Sequence, residues 1–132
     1  MTATTIHRTP TELAIGIQEN FATMTVDVAA EFIGEDCVIH EAPSLPFGGD
    51  WKGPQGFVDL MARIQETFVE FSSEPISMVT QGDTLAFAAI LRGRTAKGSF
   101  EMPLVEYWTC REGKIREVYA MWQDTKRIGE LV

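Results

Sequence analysis

Cationic clusters, long apolar runs and paired cysteine motifs are all missing from this chain of 132 residues. Its formal net charge is -8, with 11 Lys and Arg scattered among 19 Asp and Glu. Such a surface repels phosphate backbones, so nucleic acid is not an expected partner. The longest apolar run, Leu85 to Leu91, falls far short of the roughly 20 residues that cross a bilayer, and no membrane association is expected. The opening MTATTIHRTPTE has neither the basic nor the apolar region of a secretory signal. The two cysteines have no motif spacing and are expected as thiols in a reducing, cytoplasmic setting. The glycines of "FGGDWKGPQG" are not a phosphate loop, because no Gly-Lys-Ser/Thr follows and a proline occupies the helix start.

What is present suits a packed globule. Apolar residues make up 45% of the chain and aromatics 10%, enough for one domain that buries roughly two-thirds of its unfolded surface. One domain over 1–132 is expected, with 1–8 as a loose N-terminal arm. Thr9-Pro10-Thr11-Glu12 reads as a capping box with proline at the first helical position. Leu13, Ile17, Phe21 and Met24 then recur at helical spacing. A second helix is expected over about Val26 to Ile33, stopped by Gly34, and a strand from Cys37 to Ala42. After a proline- and glycine-rich bend, Pro54 starts a third helix with an apolar stripe of Phe57, Leu60, Met61, Ile64 and Phe68. Beyond Phe71 the helical period gives way to strands over roughly 73–81, 84–95, 99–111 and 114–123. Short hairpin turns at Gly82-Asp83, Ala96-Lys97-Gly98 and Arg111-Glu112-Gly113 separate them. Helices segregated onto an antiparallel sheet make an α+β fold.

In this order and spacing, "FIGEDCVIHEAP", "GGDWKG", "EMPLVEYWTCREGKI" and "EVYAMW" give a chain that resembles the SnoaL-like branch of the nuclear transport factor 2-like superfamily. The resemblance covers nearly the whole length. It implies a cone-shaped α+β barrel, in which about three helices close a strongly bent, mostly antiparallel sheet around an internal pocket. It also implies a homodimer through the outer sheet face. Chemistry does not follow from the fold, which hosts isomerases, hydrolases, dehydratases, cyclases and proteins that only bind.

In ketosteroid-isomerase relatives the general base ends the first strand, and Glu41 occupies the matching position. Alternation then sends Cys37, Ile39 and Glu41 inward and leaves Val38 and His40 outside. His40 and Glu41 therefore cannot share one ion, and no metal site is expected. The same matching gives Glu106 the role of a neutral acid that donates to an oxyanion, with Leu104 and Trp108 on its face. Tyr119, Met121 and Gln123 are expected inward from the last strand, as are Phe87, Ala89 and Leu91 from the 84–95 strand. Trp122, Arg92 and Arg94 are expected on the outside. Glu41, Glu106 and Tyr119 are the candidate catalytic groups. Ile17, Phe21, Trp51, Phe57, Phe87, Leu91, Leu104, Trp108, Met121 and Gln123 are the candidate ligand-binding residues.

Departures from the relatives narrow the chemistry. Ile17 replaces the first-helix tyrosine of the isomerases. Ala89 and Leu91 stand where limonene-epoxide hydrolases hold an arginine and an aspartate, and Gln123 stands where their second aspartate and the cyclases' acid lie. Three functions remain open. The first is a cofactor-independent isomerase, dehydratase or cyclase acting on a small hydrophobic carbonyl compound. The others are a binding protein for such a compound and a dimerising module with a filled pocket.

Overall fold

A computed structural model describes residues 6–132, so the first five residues of the expected N-terminal arm lie outside the described residues. The capping box forms as expected. Glu12 N–H donates to the Thr9 hydroxyl at 3.2 Å, and Thr9 N–H donates to the Glu12 carboxylate at 3.0 Å. Helix α1 spans Pro10–Glu19. It stops where the Asn20 side chain turns back and donates to the Gly16 carbonyl at 2.8 Å, so Phe21 falls in a 3-10 turn, Phe21–Thr23. Helix α2, Val26–Ala29, is shorter than the sequence suggests. Strand β1, Ile33–Glu41, takes over early because Ile33 pairs with Ile115 across the sheet. Tertiary pairing outweighs local helix preference here.

The glycine bend hides strand β2, Gly49–Lys52, which hairpins onto β1. Helix α3, Gly53–Thr67, buries Phe57, Leu60 and Ile64 against β1 and β2. Strands β3 (Glu70–Gln81), β4 (Thr84–Thr95), β5 (Gly98–Arg111) and β6 (Lys114–Trp122) form a meander. A last helix, α4 (Thr125–Glu130), was not anticipated; its N-cap Asp124 accepts from Arg127 N–H at 3.1 Å. The fold is α+β. Its six-stranded sheet has the order β2-β1-β6-β5-β4-β3, antiparallel except for the β1–β6 pair, and its two edges do not meet.

Cross-strand partners share a face, so register decides what lines the concave side. Met78, Phe87, Glu106 and Ala120 form one transverse row, and Thr80, Leu85, Trp108, Val118 and Ile39 form the next. Ala89, Leu91, Leu104, Met102 and Phe100 continue the buried side, as alternation in β4 and β5 predicts.

The last strand departs from expectation. The two-residue turn Glu112-Gly113 has both residues at positive φ, 54° and 71°, as a type I′ hairpin needs. From it Arg111 pairs Lys114 and Cys110 pairs Ile115, but Thr109 then pairs Glu117. Arg116 is thus an extra residue, and a β-bulge of this kind exchanges the two faces of everything beyond it. Tyr119 and Met121 therefore lie on the outer face, 44% and 53% exposed, while Trp122 is buried inside. Gln123, past the strand end, is exposed. Expectation had these four residues reversed.

Within α1, Gly16 abuts the ring of Phe32, the residue before β1, and that ring occupies the space of a Cβ. Gly16→Ala is expected to destabilise the fold by about 1–3 kcal/mol through overpacking. Urea denaturation showing no loss would mean the ring moves aside freely.

Candidate active site

Glu41 is the final residue of β1, where the chain turns into Ala42-Pro43, and it is only 6% exposed. Its partner is the indole of Trp122, whose Nε1–H donates to the carboxylate at 3.3 Å. Glu106 lies midway along β5, and Trp108, two residues on, donates its Nε1–H to Glu106 at 3.0 Å. Each carboxyl therefore has one indole donor.

Burial pushes the Glu41 carboxyl up to about 8, the nearby Glu106 charge pushes the same way, and the Trp122 bond opposes both. Burial also raises Glu106, against the pull of the Trp108 bond. Desolvation disfavours the charged form of both acids, and the neighbouring charge disfavours that of Glu41 again.

An aromatic wall stands on one side of the pair. Trp122 has its ring 5.1 Å from Phe47 and 6.1 Å from both Phe71 and Phe100. Solvent reaches the other side along the Met78–Phe87–Glu106 row, where Met78 is 41% exposed and Phe87 and Glu106 are partly so. Two surface depressions, of 510 and 390 Å³, lie elsewhere: one between the 7–11 segment and the β5–β6 turn, the other around Arg92 and Arg94.

The structure unites only part of the expected set. Glu41, Glu106, Trp108, Leu104, Leu91 and Phe87 share the concave side, and Phe57 is buried on the inner face of α3. Ile17 packs partly buried against the core, whereas Phe21 is 47% exposed. Trp51 anchors the bend, its Nε1–H donating to the Phe47 carbonyl at 3.0 Å. Tyr119 is away from the acid pair. Its ring stacks on His40 at 4.5 Å and its hydroxyl donates to Glu117 at 3.4 Å. His40 bridges Asp50 at 2.8 Å and Glu117 at 3.0 Å on that outer face. Among the described residues no three His, Cys, Asp or Glu side chains converge as a metal would require. Trp122, Met78 and Phe71 were missed as site residues; the first needed the bulge, the other two the β3–β4 register.

The raised Glu41 carboxyl has a stability consequence. The folded state retains a proton that the unfolded chain releases near 4.5, so folding loses stability as pH rises from there to about 8. Glu41→Gln is expected to show a stability difference from the native protein that shifts in the variant's favour across this window. Thermal unfolding of both proteins at several pH values checks it; a constant difference would show that the carboxyl is not held protonated.

A SnoaL-like domain family model matches residues 17–118. Among solved structures, an NTF2-like protein from Burkholderia thailandensis E264 is 19% identical, with a TM-score of 0.82 over 94% of this chain and 97% of its own. TerC, co-crystallised with polyporic acid, is 18% identical with a TM-score of 0.77 over 92% and 95%. IdmH from Streptomyces antibioticus, a candidate polyketide cyclase, is 22% identical with a TM-score of 0.69 over 94% and 99%. No curated protein sequence matches. These structural likenesses show a common fold, and the match over residues 17–118 makes this chain a member of the SnoaL-like domain family.

Proposed function

We propose that the concave face binds a small hydrophobic carbonyl-type molecule and moves a proton on it with Glu41 and Glu106, needing no cofactor. The observation that supports this most is the pair of carboxyls, both displaced upward, on one apolar face. Such a pair supplies an acid and a base within one site. The ligand of TerC and the description of IdmH are in keeping with small-molecule work on this fold.

We assign the two roles in the reverse of the sequence expectation. Burial and the Glu106 charge push Glu41 up to about 8, so Glu41 keeps its proton at neutral pH and donates to the ligand oxygen. Glu106, partly exposed and with the shorter indole bond, is the base. The reading is tested by α-proton exchange of a bound ketone in deuterated water, followed by NMR. A second reading, a dimerising module with a filled pocket, is favoured by the Phe47–Trp122–Phe71–Phe100 packing, which fills space beside Glu41.

The assembly we propose is a homodimer. The outer face presents Val105, Tyr107, Tyr119 and Met121, each at least 42% exposed, an apolar area that a monomer seldom leaves to water. Sedimentation is expected to show a dimer at micromolar concentration, and Met121→Glu is expected to shift it toward monomer. A native monomer would overturn this assembly. No described helix is long and apolar enough to cross a membrane. The two buried free thiols, Cys37 and Cys110, support a cytoplasmic location.

A further inference from the structure

We infer that the concave site selects its ligand by charge, taking an uncharged or cationic apolar molecule and excluding an anion of the same shape. The inference rests on the acid-pair site proposed above. Its basis is where the cations are. Arg92 is bound to Glu74 and Glu101, Arg94 to Glu70, and Arg111 and Arg116 to Asp36. Lys114 donates to the Ala30 carbonyl and Arg127 to the Ser99 carbonyl. The remaining Lys and Arg are solvent-exposed, and His40 is turned to the outer face between two carboxylates.

The two indole N–H groups on this side already serve the glutamates. An incoming anion would meet neither a cation nor a free indole donor, only an acid pair. Burial weakens screening, so repulsion between like charges is larger there than at the surface. An anion would also surrender its hydration without replacement. A ketone needs only the proton of the neutral acid, and an ammonium group brings the counter-charge that the pair lacks.

Three 2-naphthyl probes of matched shape test this: the methyl ketone, the aminomethyl cation and the carboxylate, each measured by equilibrium dialysis. At about pH 7 the carboxylate is expected to bind at least tenfold more weakly than the ketone, roughly the effect of one uncompensated buried charge. The gap should widen near pH 9, above the value of about 8 at which Glu41 ionises. The cation should bind at least as tightly as the ketone. In a Glu41→Gln/Glu106→Gln double variant the gap should close to roughly threefold or less. Should that variant not fold, the pH series on the native protein decides alone. Equal binding of ketone and carboxylate, or a gap indifferent to pH, overturns charge selection. A bound ketone that exchanges no proton leaves charge selection standing and removes the acid–base reading. Binding of none of the three overturns both.

Discussion

Glu106→Gln should slow α-proton exchange of a bound ketone by ~10²–10⁴-fold, the usual worth of a positioned general base. The amide preserves shape and the contact with Trp108, so ligand affinity should change little. Glu41→Gln should cost less, because an amide N–H still donates to the ligand oxygen that the neutral acid would serve. Removing the donor altogether, as in Glu41→Ala, should be worse than the amide, by up to ~3–4 kcal/mol of transition-state stabilisation. The order of the two glutamine variants is the informative result. If Glu41→Gln is the deeper loss, the roles are those of the ketosteroid-isomerase relatives and Glu41 is the base. Equal exchange by the native protein and both variants would favour the binding-protein reading.

Trp122→Ala should be the most damaging single truncation at the site, costing about 3–5 kcal/mol of folding stability as a large buried aromatic is lost. The indole packs against Phe47, Phe71 and Phe100 and also holds Glu41. Trp122→Phe separates these contributions. It keeps much of the packing and removes the N–H, so the Glu41 carboxyl should climb further, since that hydrogen bond is what opposes burial. Urea unfolding reads the first effect, and the pH dependence of unfolding reads the second. An alanine variant within 1 kcal/mol of native would mean that the neighbouring rings close the gap.

Alternation in a strand that runs unbroken from its turn was legible. The inward set Cys37, Ile39 and Glu41 and the inward set Leu104, Glu106 and Trp108 both follow from period two once one member is placed. The capping box at Thr9 and the apolar stripe of α3 were legible for the same reason, because their signals are local. Strand β6 was not. Its turn was placed correctly, but a single surplus residue at Arg116 lies between that turn and Tyr119, and nothing in "KIREVYAMW" marks the bulge. Strand β2 was masked by its glycines, and β1 began early because Ile33 is paired from the far end of the chain. Long-range pairing has no local signature.

That same pairing orders events during folding. Strand β1 lies between β2 and β6, and its partner on one side is made after every other strand of the sheet. Until residues 114–122 leave the ribosome, the helical half has a strand with one edge open and no indole for Glu41. Contacts of such high sequence separation are slow to form and leave earlier segments exposed while they wait. A nascent chain stalled before β6 should therefore be sensitive to protease and dependent on chaperones, and the acid pair should assemble only once β6 has been made.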